Sequence, residues 1–340
     1  MYTLKMPRCR VEEELMASDP DILTPPQTVA AHLARWEEQV GAMVPAKAAN
    51  ANLLIATWNL RAFGDLTKAW KTSQGISPKR NFTDIHAIAA VIRRFDVVAV
   101  QEVRGNLRAL RYLLKVLGEH WTFILTDVTL GKDGNNERLA FLFDTRRVKP
   151  SGLACELVVP LEQDARVSAS GLERQFARTP YAVSFLSSSQ TFTLITLHVD
   201  YGNTAADRVP ELKAIAKWLA DWAEQEFGWD HNLIALGDFN IDRAGDPLFE
   251  AFTSTGLTPA PQLEHLPRTI FDKPGAAHFY DQIAWFTKGQ QHRPVLNLEA
   301  VAGGQVDFVD VLQGDGTRND LSWHISDHFP LWMEFAIPGN

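Results

Sequence analysis

Two short strings far apart in the chain, Gly237-Asp238-Phe239-Asn240 and Ser326-Asp327-His328-Phe329-Pro330, combine acids, an amide and an imidazole where an apolar run meets a polar one. The first follows the run 232–236 and the second opens the run 331–335, so each falls where a buried strand meets a loop. Alone, either has an ordinary structural explanation. A Gly-Asp after a strand is often a turn whose carboxylate caps the next amides, and a single Asp-His pair is often structural. Recurrence shifts the balance: Asn59 interrupts the apolar run 53–60, Glu102 the run 97–103 and His198 the run 192–199, and Asp281 precedes the run 282–286.

These residue types suit hydrolysis of a phosphodiester. In-line attack by water needs a nucleophile made more basic, relief of charge on the non-bridging oxygens, and a proton for the leaving oxygen. Glu102 and Asp327 are hard oxygen donors of the kind that hold Mg²⁺, with Mn²⁺ or Ca²⁺ in a supporting part, and Asn59 can complete the shell. Asp238 and Asn240, two apart at a strand exit, can aim a carboxylate and an amide at one water or phosphate oxygen. His198 and His328 supply groups that titrate near neutrality, and each needs an acceptor to fix its tautomer; Asp281 and Glu137 are the candidates. His324, four residues before His328, could tune the same loop, whereas His120, His231 and His292 read as core or surface imidazoles. Covalent catalysis fits less well, because there is no Gly-x-Ser-x-Gly elbow and neither cysteine stands beside a base.

The elements that must position these groups alternate. Strands are expected at 53–58, 97–102, 121–127, 139–144, 181–186, 192–200, 232–236 and 329–336, with helices at 84–94, 107–117 and 208–227. The last third reads as strand and loop, and Gly303-Gly304 and 314–316 as turns. Two strand-rich, helix-bearing halves imply an α/β sandwich, two sheets face to face with helices outside. Residues 1–50 read as an N-terminal extension, irregular around Pro20, Pro25 and Pro26 and helical over 28–40, before a catalytic domain over 51–340. The polar segment 64–84 carries Lys68, Lys71, Lys79, Arg80, Trp70 and Phe82: it is either a solvated loop or a basic, aromatic loop over a phosphate-bearing substrate.

At 340 residues, 46% hydrophobic and 22% charged, the chain can bury a large core, which excludes general disorder. A net charge of -8 argues against a general electrostatic grip on nucleic acid, but a metal-filled acidic cleft can still face a phosphodiester. Cys9 and Cys155 form no disulfide framework. Acidic residues at 12–14 stand where a signal peptide needs apolar ones, and no run reaches membrane-spanning length, so a cytoplasmic protein is the default expectation, with leaderless export as the alternative.

The chain resembles the endonuclease/exonuclease/phosphatase superfamily, most closely its deoxyribonuclease I-like branch. The carriers, in order, are residues 58–64, Asp96 with Gln101-Glu102-Val103-Arg104, Asn136-Glu137-Arg138-Leu139, Phe176-Ala177-Arg178-Thr179-Pro180, Leu197-His198, Gly237-Asp238-Phe239-Asn240, Tyr280-Asp281-Gln282-Ile283 and Ser326-Asp327-His328-Phe329-Pro330. The resemblance implies a four-layered α/β sandwich with the site at one edge of both sheets. It implies Glu102 as principal Mg²⁺ ligand with Asn59 and Asp327 beside it, Asp238 and Asn240 positioning water and phosphate, and Arg178 anchoring the scissile phosphate. It pairs His198 with Glu137 and His328 with Asp281; the expectation is His328 with Asp238 on the attack side and His198 on the leaving side.

Arg61, Arg104 and Glu137-Arg138 carry the narrower likeness, which implies Arg61 on the DNA backbone and Arg104 in the minor groove, where reading is degenerate. The implied function is a Mg²⁺-dependent, non-specific endonuclease on double-stranded DNA that leaves 5'-phosphate ends. A phospholipid or inositol phosphate phosphoesterase is the alternative, and an inactive nucleic-acid-binding module a distant third. One departure is that Gly134-Asn135-Asn136 stands where the branch places a groove-stacking tyrosine.

Overall fold

The computed structural model describes residues 20–129, 135–157, 178–199, 204–224, 232–273, 278–287 and 296–338. Cys9, Gly134, Phe176, Ala177, Asp200, His231, His292 and the end of the helix expected to reach residue 227 lie outside them.

Two six-stranded sheets form the centre. The first contains β1 (Asn52–Phe63), β2 (Val97–Arg104), β3 (Trp121–Leu125), β4 (Glu137–Asp144), β11 (Glu299–Gln305) and β12 (Leu331–Ala336), in the order β11-β12-β1-β2-β4-β3. The second contains β5 (Lys149–Glu156), β6 (Tyr181–Ser187), β7 (Gln190–His198), β8 (Leu233–Ile241), β9 (Leu257–Pro259) and β10 (Phe279–Phe286), in the order β5-β6-β7-β8-β10-β9. The pairs β1–β2 and β7–β8 are parallel and the other pairings antiparallel.

Alternation along each strand explains the layering. Leu53 and Ile55 of β1, Val97 and Ala99 of β2 and Phe141 and Phe143 of β4 face the other sheet, meeting Phe185, Leu194, Ile234, Leu236 and Ile283. Leu54, Ala56 and Trp58 point the opposite way, under α1 (Gln27–Met43), α2 (Phe82–Ile92) and α3 (Arg108–Leu117). The outer face of the second sheet is covered by α4 (Ala205–Ala223) and α5 (Pro247–Thr253). With both faces buried, the central strands need continuous apolar runs, so a polar residue within one stands out. This is the expected four-layered α/β sandwich.

Two readings are corrected and a third is narrowed. Residues 247–324 are not only strand and loop: they also hold α5, α6 (Val309–Leu312) and α7 (Arg318–His324), too short for a helical period to show in sequence. Gly303-Gly304 is no turn but the middle of β11, where a Cβ on Gly303 would lie 2.4 Å from the Met333 sulfur and one on Gly304 2.7 Å from the Trp332 ring. The segment 64–84 is an exposed loop over 73–77, but not all of its basic and aromatic residues are free: Arg80 is buried and donates to the carbonyls of Arg61, His324 and Ile325, each at 3.0 Å, while Trp70 packs edge-on against Phe82.

At the N-terminal side, Val29, Leu33, Trp36 and Val40 form one buried stripe on α1, and Trp36 Nε1 donates to the Ala87 carbonyl at 3.0 Å. Residues 27–43 thus share their core with α2.

Candidate active site

The C-terminal ends of the parallel strands β1, β2, β7 and β8 lie at one edge of the sandwich, and the polar interruptions collect there. Asn59 lies opposite Gln101 across β1–β2, and His198 opposite Asp238 across β7–β8. From the antiparallel side β10 brings Asp281 opposite Asp238. Gly237 permits this packing: with φ of 143°, a Cβ there would stand 2.1 Å from the Leu197 carbonyl oxygen. Glu102, Asn240 and Ala62 all have positive φ (59°, 50° and 48°), a concentration of backbone strain at one edge.

Two imidazoles flank Asp238. His328 Nδ1 lies 2.6 Å from Asp281 Oδ2, and His198 Nδ1 3.1 Å from Glu137 Oε2. The opposite ring nitrogens both face Asp238 Oδ2, His198 Nε2 at 3.6 Å and His328 Nε2 at 3.9 Å. Those separations are too long for direct hydrogen bonds, so each Nε2 stays available to a third group. Asp238 is itself fixed: Asn59 Nδ2 donates to Oδ2 at 3.1 Å and the Asn240 amide to Oδ1 at 3.0 Å. Asn240 Nδ2 donates to the Val199 carbonyl at 2.6 Å.

The pairs are anchored from behind. Trp58 Nε1 donates to the His328 carbonyl at 2.9 Å, and Arg268, fully buried, donates Nε to the Asp281 carbonyl at 2.9 Å. Burial pushes the Asp281 carboxyl up to about 6, against the pull of His328. Burial also opposes charge on His328, but Asp281, Asp238 and Asp327 outweigh it and lift its pKa well above the ordinary imidazole value. Glu137 is likewise buried, yet His198, Arg178 and Arg104 hold it below the ordinary carboxylate range. Arg178 Nε sits 2.6 Å from Glu137 Oε2.

Oxygen donors gather on the first-sheet side. Asn59 Oδ1 and Asp327 Oδ1 are buried without a hydrogen-bond partner, an arrangement that suits a cation. Glu102 Oε2 accepts the Ala62 amide at 2.8 Å. Among the described residues, Asp238, Asp281 and His328 also bring ligand-type atoms within 4.8 Å of one another. There, however, Asp281 Oδ2 and His328 Nδ1 are engaged with each other, so that trio reads as a proton-handling unit and Asn59, Glu102 and Asp327 as the better fit to an ion.

A model of the Endonuclease/Exonuclease/phosphatase family matches residues 56–328. The chain belongs to this family. It is 30% identical over 297 residues to a "Deoxyribonuclease" of Thioalkalivibrio sp. (strain K90mix), covering 85% of this chain and 72% of that protein. It is 25% identical over 291 residues to "Deoxyribonuclease-1" of Bos taurus, covering 82% of this chain and 91% of that protein. An endonuclease/exonuclease/phosphatase family protein from Bacteroides thetaiotaomicron superposes with a TM-score of 0.55 at 16% identity, covering 85% of this chain and 99% of that one, a likeness of fold. Members of the Endonuclease/Exonuclease/phosphatase family are phosphoesterases that generally use a divalent metal, and the donor set above is of that character.

Within this family member, the two arginines of the narrower likeness lie beside the acids. Arg61 Nη1 is 3.3 Å from Asp327 Oδ2, donates to Ser322 Oγ at 2.7 Å and stacks 4.1 Å from the Trp323 ring centre. Arg104 Nη2 lies 3.6 Å from Glu102 Oε2 and 3.3 Å from Glu137 Oε1, and its Nη1 donates to the Asn135 carbonyl at 2.6 Å. His324 does not join the site: its Nδ1 bonds Asp84 Oδ2 at 2.7 Å.

Sequence reasoning assigned no role to Ser326, Arg268 or Trp323. Ser326 Oγ donates to the Asn59 carbonyl at 2.5 Å and accepts the His328 amide at 3.1 Å, tying β1 to the histidine loop. Its place inside Ser326-Asp327-His328 was the available signal; for Arg268 and Trp323 there was none.

Proposed function

We propose that this chain is a Mg²⁺-dependent DNA endonuclease that hydrolyses phosphodiester bonds with little sequence preference and leaves 5'-phosphate ends. The observation that carries the reading is the convergence of two buried imidazole–carboxylate pairs, each bridging the two sheets, on the single carboxylate Asp238. Likeness over most of the chain to two deoxyribonucleases supports DNA as substrate.

Asp238, held by Asn59 and the Asn240 amide, orients the attacking water and accepts its proton as oxygen bonds to phosphorus. His328, with Nδ1 on Asp281 and a raised pKa, presents a proton on Nε2. That makes it a donor to a non-bridging phosphate oxygen, in place of the attack-side role expected from sequence. His198, its Nδ1 3.1 Å from Glu137 Oε2, protonates the leaving 3'-oxygen as the P–O bond breaks. Arg178 adds positive charge beside Glu137. A bound divalent ion on Glu102, Asn59 and Asp327 would relieve charge on the phosphate oxygens.

One observation favours a second reading, hydrolysis of a smaller phosphate ester such as a phospholipid or inositol phosphate: Arg104 is already engaged by two carboxylates and a carbonyl and is not free to enter a groove. Plasmid nicking in Mg²⁺ and in EDTA, beside phosphate release from phospholipid and inositol phosphates, separates the two. Metal-dependent nicking supports the endonuclease; intact plasmid with released phosphate supports the alternative.

A further inference from the structure

A cavity of about 580 Å³ opens beside the candidate active site, between Arg61, Arg104, Trp323 and the tip of the segment 64–84. Its volume is in the range of small-ligand pockets. Its walls are unusual for this surface: of the six large apolar side chains left exposed among the described residues, two line this cavity, Ile76 at 48% exposure and Trp323 at 41%. Pro78 completes the apolar side. The rim facing the site is cationic, and each of its arginines lies against a candidate metal ligand, Arg61 against Asp327 and Arg104 against Glu102. The cavity is also pre-formed. Arg80 ties its floor to the carbonyls of Arg61, His324 and Ile325, and Lys79 is hydrogen-bonded to Asp320.

A ligand fitting this cavity needs a flat apolar body and an adjoining anion that reaches the carboxylate-rich centre. An indole and a stacked guanidinium form the kind of platform on which nucleobases lie, whatever their identity. We propose that the cavity is a base subsite, taking one unstacked nucleobase of the strand whose phosphate occupies the active site. The proposal rests on the nuclease reading above and narrows its substrate class: strands whose bases already lie free of a duplex stack bind here without the unpairing penalty that a closed duplex bears.

The test uses the full chain and a short single-stranded oligonucleotide with one cleavable phosphodiester, the others replaced by methylphosphonates. The flanking nucleotide carries either thymine or an abasic tetrahydrofuran residue. The wild type should favour the base-bearing substrate about 5-fold or more in KM, the range of stacking on one aromatic platform. Trp323→Ala should bring that ratio close to 1, and Trp323→Phe should retain it. A ratio near 1 in the wild type, or an unchanged ratio in Trp323→Ala, overturns the subsite; a purely structural role for Trp323 would weaken both substrates alike and leave the ratio intact. Anisotropy titration of the same labelled strands in EDTA reads the ratio without turnover. If the wild type cleaves no oligonucleotide in Mg²⁺ yet shows the binding ratio, the endonuclease reading falls and the subsite stands; cleavage without a ratio has the opposite meaning.

Discussion

His328 and Asp281 meet across the gap between the two sheets, Nδ1 to Oδ2 at 2.6 Å, with His328 on the loop before β12 of the first sheet and Asp281 on β10 of the second. The second pair has the same character: Glu137 begins β4 of the first sheet and His198 ends β7 of the second. Each pair holds its geometry only while the sheets keep their spacing, so the inter-sheet core of Leu53, Ile55, Phe141, Phe185 and Ile283 is also what sets the site. Large apolar residues there act on catalysis through distance.

Asp281→Asn keeps the shape of the fully buried side chain and removes its charge. His328 then loses the carboxylate that accepts its Nδ1–H and raises its pKa, and with it the second proton that the charged ring carries on Nε2. Turnover of plasmid DNA should fall by about 10²- to 10⁴-fold, the span of one acid–base contribution. Thermal stability should change little, because a buried charge disappears along with its partner's. Turnover within a few-fold of wild type in the variant would remove His328 from the chemistry.

Glu102 should carry the metal. Glu102→Gln replaces a charged oxygen donor by a neutral one while Asn59 Oδ1 and Asp327 Oδ1 stay unpaired, which weakens the hold on a hard divalent ion. Ligand binding to the folded state raises stability by mass action, about 2.7 kcal/mol at one hundred times Kd. Saturating Mg²⁺ should therefore raise the melting temperature of the wild type by several degrees and that of Glu102→Gln much less, with EDTA abolishing both the shift and the plasmid nicking. Equal shifts in the two proteins would place the ion elsewhere.

How much of this was legible beforehand depends on the range of the interaction. Asn59, Glu102, His198 and Asp281 could be picked out because a polar side chain inside an apolar strand breaks a local pattern. Arg80 and Arg268 could not: each reads locally as a surface arginine, and only the closed fold shows that its donors end on carbonyls, including Arg61 and Ile325 for Arg80 and Asp281 for Arg268. Gly303-Gly304 misled for the same reason, since a glycine pair looks alike in a turn and in a strand pressed on Met333 and Trp332. Trp323 lies on a helix of seven residues, too short for periodicity to separate its exposed face from the face of buried Leu321.

The end of the first sheet opposite the site offers a test of stability apart from catalysis. Asp144, its side chain only 1% exposed, takes a two-pronged contact from Arg146 at 2.9 and 2.7 Å and a third from Lys47 at 3.3 Å. Burial opposes its ionisation, but these cations and the Arg146 amide outweigh it and bring the pKa from 3.8 down to about 2. A carboxyl depressed in the folded state stabilises the protein fully above its unfolded value, and the contribution fades as pH falls through 3.8 toward 2. Arg146 is 59% exposed, so solvent screening reduces the effect to about 1–2 kcal/mol. Asp144→Asn should lower unfolding stability by that amount at pH 7, with the difference from wild type shrinking below pH 4 and vanishing near pH 2, as read from urea midpoints across the series. Plasmid nicking at pH 7 should stay at the wild-type rate, because Asp144 lies beyond Asp96 and Leu54, at the far end of β1 from Asn59. A pH-independent stability difference would mean that Asp144 acts through packing and not through its charge.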